Sequence, residues 1–197
     1  FSIKDGRQEL GWTSCLTDTQ NTASITVEGG TFNGGFRVKS GTTMTIEGGS
    51  FNDCYGSGYN IYGTAVVKGG TFTDANAINF AKGNLAEGYV ASDNGNGTFT
   101  VVKGVAKIGD TYYATLQEAI NNVKNGETVT LLADCAEAVH INKTNVAFTI
   151  DGQISETEKV DFSGVIGINI GQNVTIRNID FNGATANHDF IKNEGSP

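Results

Sequence analysis

Proline occurs once in 197 residues, charged side chains make up only 17%, and no apolar stretch approaches the length of a membrane span. Disordered chains pair high charge density with proline, and collagen needs proline with glycine at every third position, so both classes are excluded. A spanning helix needs about 20 consecutive apolar residues, which excludes insertion through such a helix. Cations are scarce as well: 13 Lys and Arg stand against 21 Asp and Glu, a formal net charge of −8, and Arg7, Arg37 and Arg177 supply the only guanidinium groups. No basic stripe is available to neutralise phosphates, which argues against nucleic acid and anionic membrane surfaces as partners. The three cysteines, Cys15, Cys54 and Cys135, include no C-x-x-C pair, so neither a disulfide framework nor a zinc knuckle is indicated.

Glycine, by contrast, is abundant at 27 residues, and it punctuates a repeated phrase. The phrase reads ITVEGGTFNG from Ile25, MTIEGGSFND from Met44, AVVKGGTFTD from Ala65 and VTIRNIDFNG from Val174. A unit of about 20 residues built from alternating side chains and a glycine turn cannot bury its own apolar face, so it must stack on its neighbours as a β-solenoid. Alternation assigns Ile25, Met44 and Ala65 to one inward column and Val27, Ile46 and Val67 to the next. Phe32, Phe51 and Phe72 follow the glycine pairs as a third, aromatic column. Thr26, Thr45 and Val66, and then Glu28, Glu47 and Lys68, face outward. The pairs Gly29-Gly30, Gly48-Gly49 and Gly69-Gly70 turn the corner, through positive φ or close backbone approach. The stretch after each phenylalanine varies in length, which marks that corner as the loop face.

From Tyr89 the pattern becomes YVASDNGNGTFTVV, a hairpin signal around Asn94-Gly95 and Asn96-Gly97. A hairpin near 89–102 would cover the open edge of a first module, 1–103. A second module, 104–197, opens with VAKIGDTYYATLQEAINNVKNGETVTLLAD. Thr115 and Glu118 form a capping box, Leu116, Ala119, Ile120 and Val123 make one helical stripe, and Gly126 is a stop signal. A single capping helix over 115–125 is therefore expected, plugging the end of the second solenoid. VDFSG from Val160 and IDFNG from Ile179 lie 19 residues apart, and AFTIDG and NVTIRN read as matching strands on another face. The pattern is already running at Phe1 and still running at the end, as expected of a piece of a longer protein.

The segment VAKIGDTYYATLQEAINNVKNGETVTLLAD resembles the start of right-handed parallel β-helix modules in large, repetitive, adhesin-like surface proteins of bacteria, gut bacteria in particular. The GGTF units and the closing EGYVASDNGNGTFTV resemble those modules too. The resemblance implies an all-β, right-handed parallel β-helix of pectate-lyase-like shape. It implies a secreted or cell-surface location and further copies of the module in the parent chain. It brings no ligand and no catalytic residues with it.

Candidate chemistry must come from the residues themselves. Asp161 and Asp180 sit between inward residues one coil apart, so both should point outward. Paired carboxylates at that spacing can bind calcium or act as the acid and nucleophile of a glycosidase, with Arg177 nearby; a solvated ladder position is the simpler account. Asp151 and Arg177 occupy matching outward positions, where a lyase base or a surface ion pair would serve. DNGNG at 93–97 lacks the acid spacing of an EF-hand, and hairpin chemistry explains each of its residues. His140 and His188 have no partner at metal-ligand spacing, so no metal is assigned. Tyr55, Tyr59 and Tyr62 surround the longest corner loop and form the preferred patch for stacking on a glycan, against packing of Tyr59 and Tyr62 in the core.

The function expected is a non-enzymatic extracellular stalk or binding module that contacts a glycan or a host surface protein. The alternatives are a polysaccharide lyase or glycoside hydrolase built on the same fold, and a purely structural spacer. Cys15 and Cys54 lie 39 residues apart, about two coils, which places their Cα atoms on the order of 10 Å apart. Disulfides rarely bridge more than about 7 Å. Mass spectrometry of an unreduced digest should therefore contain no peptide linking Cys15 to Cys54; finding one would overturn the coil register.

Overall fold

The computed structural model describes residues 2–3, 7–9, 23–52, 58–143, 145–169, 171–182 and 190–193. Cys15, Cys54, Tyr55 and His188 lie outside the described residues. The described residues are mostly β, with two short helices among them, and form β-solenoid turns, about 7 in all with roughly 21 residues per turn, the arrangement of a parallel β-helix. The chain divides into two compact units, Phe1–Lys103 and Gly104–Pro197, each with its own hydrophobic core.

In the first unit the strands Ala23–Val27, Thr42–Ile46 and Thr64–Val67 stack in parallel, with Ile25 beside Met44 beside Ala65 and Val27 beside Ile46 beside Val67. All six side chains are buried, so the columns expected from alternation are the columns observed. The next sheet stacks Thr31–Asn33, Ser50–Asn52 and Thr71–Phe72, which aligns Phe32, Phe51 and Phe72. Their rings lie nearly parallel, with centroids 4.8 and 5.0 Å apart. That separation is the spacing of the strands themselves, so each ring rests on the ring one coil away.

Both glycines of the intervening pair are required, for different reasons. A Cβ at Gly48 would run into the Glu28 carbonyl oxygen, and one at Gly69 into that of Glu47. The second glycines, Gly30, Gly49 and Gly70, hold φ near 101, 105 and 100°, where any Cβ is strained. The first glycine therefore admits the neighbouring coil, and the second makes the turn.

The first unit closes as a hairpin. Tyr89–Asp93 and Phe99–Lys103 pair antiparallel, and Phe99–Lys103 also pairs antiparallel with the last coil, placing Phe99 opposite Phe72. A strand run in that sense ends the parallel stack and covers its edge.

One expectation needs correction: the capping helix of the second unit is not the only helix. The variable stretch after Phe72, TDANA at 73–77, is expected to lead as a loop to Ile78 and Phe80; instead Ala75–Gly83 form helix α1. The Asp74 carboxylate accepts the backbone N–H groups of Asn76 and Ala77 at 2.8 and 3.0 Å, a strong N-cap. Ala77, Phe80 and Ala81, at i, i+3 and i+4, make the buried stripe. Asn76 and Asn79 are weak helix formers, so the pattern reads poorly by propensity, and burial of Phe80 overrides it.

The second unit opens with an antiparallel hairpin, Ala106–Ile108 with Thr111–Tyr113, whose first strand pairs antiparallel with Thr128–Leu131. Parallel coils follow, Ala147–Asp151 and then Asn173–Arg177 in one sheet and Val160–Phe162 with Ile179–Phe181 in another. Helix α2 spans Leu116–Asn122, shorter than the expected 115–125, because Val123 already turns to extended backbone with ψ 139°. The capping box forms: Thr115 Oγ1 accepts the Glu118 N–H at 3.0 Å, and Glu118 accepts the N–H of Ala114 rather than that of the cap residue. Leu116, Ala119, Ile120 and Val123 are all buried, as the stripe required.

The phenylalanine column sandwiches Phe51 between the rings of Phe32 and Phe72. Phe51→Ala should lower stability by about 3–5 kcal/mol, the usual cost of truncating a buried aromatic residue. Thr45→Ala, on the outer face of the same coil, should cost well under 1 kcal/mol. Denaturant titration of the two variants checks this, and equal losses would mean that the faces are assigned wrongly.

Candidate functional site

The variable corner of the first unit forms a concave surface. Strands Arg37–Val38 and Asn60–Ile61 pair in parallel, Arg37 with Asn60 and Val38 with Ile61, and α1 packs nearby. A cavity of about 320 Å³ opens there, lined by the apolar side chains of Tyr59, Ile61 and Phe80 and by the amides of Asn76, Asn79 and Asn84. Tyr59 stacks on Phe80 with centroids 4.8 Å apart and planes 17° apart, and Phe36 meets both rings edge-on at 4.7 and 5.2 Å. Asn84 is fixed by donating from Nδ2 to the Phe80 carbonyl oxygen at 2.8 Å. An aromatic floor with amides at its rim is the usual composition of a small-ligand cleft.

The three tyrosines selected from the sequence thus separate. Tyr59 packs against the core and walls the cavity rather than projecting from it. Tyr62 is 65% exposed, with the Arg37 guanidinium 5.9 Å from its ring centroid. Tyr55 lies in the part of the loop outside the described residues.

In the second unit Asp161 and Asp180 are direct register partners, both exposed, about 4.8 Å apart along the stack. Their surroundings are those of a solvated ladder. Lys159 Nζ lies 3.7 Å from Asp180 Oδ1, and the Asp161 backbone N–H donates to Asp134 Oδ1 at 2.9 Å. Arg177, the cation that an active site would want beside them, is held by Asp151, with Nε and a terminal nitrogen 2.9 and 2.8 Å from Oδ2. Among the described residues no group of three or more His, Cys, Asp or Glu is placed to hold a metal ion. No helix among them is long and apolar enough to cross a membrane.

The hairpin DNGNG is consumed by its own turn. Asp93 accepts the Gly95 N–H at 2.8 Å, Asn94 donates to the hydroxyls of Thr98 and Thr100, and Asn96 accepts from Thr98. Cys135 is buried, and that burial pushes its thiol up, more than the hydrogen bond from the Glu137 backbone lowers it, so it is an inert thiol at neutral pH. His140 is exposed, and its backbone is clamped at both ends by Gln117, which accepts its N–H at 2.7 Å and donates to its carbonyl at 3.1 Å. Glu137, one coil on, accepts the N–H groups of Leu116 and Gln117 and so caps α2 from a distance. Sequence reading missed Glu137 because its partners lie about 20 positions away, outside any local capping spacing.

With this geometry in hand the chain is defined as a parallel β-solenoid; besides the corner cavity of the first unit, a cavity of about 340 Å³ lies beside Asn125, Val146, Ala147 and Asn173 in the second. No protein-family model, no curated protein and no solved structure matches it.

The Asp151 side chain is only 14% exposed. Burial raises its carboxyl, but hydrogen bonds from Asn178, the Gln153 backbone and Arg177, with the Arg177 charge, outweigh this and hold it below the ordinary 3.8. A carboxyl held below its unfolded value stabilises the fold fully above that value, and the contribution disappears as pH falls through the lower folded one. Asp151→Asn should therefore melt below the native protein at pH 7, by an amount corresponding to about 0–1 kcal/mol. The gap should close on acidification below about pH 4. A gap that widens in acid would contradict the assignment.

Proposed function

We propose that the chain is a non-enzymatic binding module of an extracellular, adhesin-like β-helix protein, and that it contacts a glycan or a host surface through the corner of its first unit. The single observation that carries this proposal is the corner cavity, where the Tyr59–Phe80 stack meets the amides of Asn76, Asn79 and Asn84. Sugar rings offer apolar C–H faces and a rim of hydroxyls, so an aromatic surface bordered by amides complements them. Tyr62, one residue beyond Ile61, is 65% exposed and offers a separate aromatic surface on the outer side of the same corner. Affinity at one such cleft would be modest, and repetition along a longer chain would raise it through effective concentration.

A polysaccharide-cleaving enzyme is the competing class, and it rests on the juxtaposition of Asp161 and Asp180. Against it stand the openness of both carboxylates to solvent and the engagement of Arg177 by Asp151.

On immobilised glycans the purified chain should be retained without cutting them, with or without calcium. Asn79→Ala should weaken retention about two- to tenfold, the worth of one hydrogen bond. The double variant Asp161→Asn, Asp180→Asn should leave retention unchanged. Release of reducing or unsaturated ends by the native chain, abolished in that double variant, would replace the binding module by an enzyme.

A further inference from the structure

Asparagine followed by glycine is open to a covalent change that needs no enzyme. The glycine nitrogen attacks the asparagine side-chain carbonyl carbon, Cγ, its proton passes to hydroxide or water, and the amide nitrogen leaves as ammonia. Water then opens the succinimide ring. Opening at the side-chain carbonyl gives aspartate, and opening at the main-chain carbonyl gives isoaspartate, in which the chain runs through Cγ. The balance is one water consumed and one ammonia released, with nothing oxidised or reduced. Glycine favours the ring because no Cβ obstructs the approach of its nitrogen. That nitrogen must lose its proton and turn out of the peptide plane, so an N–H already donated to an acceptor reacts only after its hydrogen bond opens.

The chain holds five such pairs: Asn33-Gly34, Asn94-Gly95, Asn96-Gly97, Asn125-Gly126 and Asn182-Gly183. Gly183 lies outside the described residues. In three of the other four the glycine N–H is committed. That of Gly34 donates to the Asn52 carbonyl at 2.6 Å, and that of Gly126 to the Ala147 carbonyl at 2.7 Å. That of Gly95 donates to Asp93 Oδ1 at 2.8 Å, and the amide that would leave from Asn94 is itself held by the hydroxyls of Thr98 and Thr100 at 2.8 and 3.0 Å. Gly97 is different, because its N–H makes no hydrogen bond among the described residues.

Exposure does not separate these sites, since Asn94, Asn96 and Asn125 are all exposed together with their glycines. Hydrogen bonding does, at the electrophile as well as at the nucleophile. Asn96 Oδ1 accepts both the N–H of Thr98 at 3.1 Å and its hydroxyl at 2.7 Å. Two donors on that oxygen draw charge from Cγ and stabilise the negative charge that develops there during attack.

We infer that Asn96 is a site of self-modification, converting to aspartate and isoaspartate in the folded chain while the hydrogen bonds of their glycines protect Asn33, Asn94 and Asn125. The change adds one carboxylate to the tip of the hairpin that closes the first unit, in a chain whose formal charge is already −8. The tip lies beyond the last strand pair, Asp93 opposite Phe99, so an extra backbone carbon is absorbed there without shifting the register.

The test incubates the full chain folded, at mildly alkaline pH, with a denatured sample alongside. Both are digested and mapped by mass spectrometry, which reads the exchange of amide for carboxyl at each asparagine. Denatured, Asn33, Asn94, Asn96 and Asn125 should convert at similar rates. Folded, Asn96 should lead the other three by about tenfold or more, the factor by which one hydrogen bond of ordinary strength keeps an N–H closed. A more acidic species should grow on ion exchange at the rate of Asn96 conversion, be absent from Asn96→Ala, and melt with the native chain. Asp93→Ala frees the Gly95 N–H and should raise conversion at Asn94 several-fold, with Asn33 as slow as before while the unit stays folded. The ordering in the native chain tests the inference whether or not that variant folds. Asn94 or Asn125 converting as fast as Asn96 in the folded chain overturns it, and so does an Asn96 that converts no faster there than Asn33. In a folded Asp93→Ala variant, an unchanged rate at Asn94 overturns the role given to the donated N–H.

Discussion

Everything in this molecule depends on parallel strands stacking about 4.8 Å apart in strict register, so that each residue rests on its equivalent one coil away. Ile25, Met44 and Ala65 must then share one small apolar volume, and the planar rings of Phe32, Phe51 and Phe72 can lie face to face. The same constraint explains the glycine pairs. At Gly48 and Gly69 the carbonyl of the preceding coil occupies the space a Cβ would need. No coil completes its own core, so stability accrues between neighbours rather than within a repeat.

A stack built this way has a problem at its ends, where one coil has no neighbour and its strand edges stay unpaired. Each unit solves it with an antiparallel hairpin and a helix, the first unit at its C-terminal end and the second at its N-terminal end. In the first, Phe99–Lys103 reverses the strand sense against the last coil, and α1 buries Ala77, Phe80 and Ala81. In the second, Ala106–Ile108 runs antiparallel to Thr128–Leu131, and α2 buries Leu116, Ala119 and Ile120. The second helix is tied down more firmly, because Glu137 caps it and Gln117 brackets His140 on the adjoining coil.

What could be read from the sequence is what obeys a period. Alternation and a spacing near 20 residues give the inward columns and the corner glycines, and the matching strands AFTIDG and NVTIRN give the pairing of Asp151 with Arg177. The closing hairpin and α2 were legible from their own turn and cap residues. Helix α1 was not, since Asn76 and Asn79 mask the Ala77–Phe80–Ala81 stripe and only the buried environment of Phe80 favours the helix. The cavity was legible in part. Its neighbourhood follows from variable loop length, but its walls need Ile61 and Asn79 to meet across about 18 residues of chain, which no local pattern encodes. Tyr59 shows the same limit: one aromatic residue at a corner fits a ligand face and a core face equally well until its stacking partner, Phe80, is placed.

The location of the cleft follows from the stacking constraint as well. On a flat face of the solenoid, register repeats the same kind of side chain every coil, so Asp161 meets Asp180 and both stay open to water. Neighbouring coils differ most at the corners, because loop length there is not bound to the ladder. Phe51 and Gly48 serve the stack and tolerate little, whereas Arg37, Tyr62 and Asn79 lie exposed at the corner, where a substitution leaves the columns intact. The stack is therefore held by residues whose neighbours fix them, and the corner is where a coil can change without disturbing the columns.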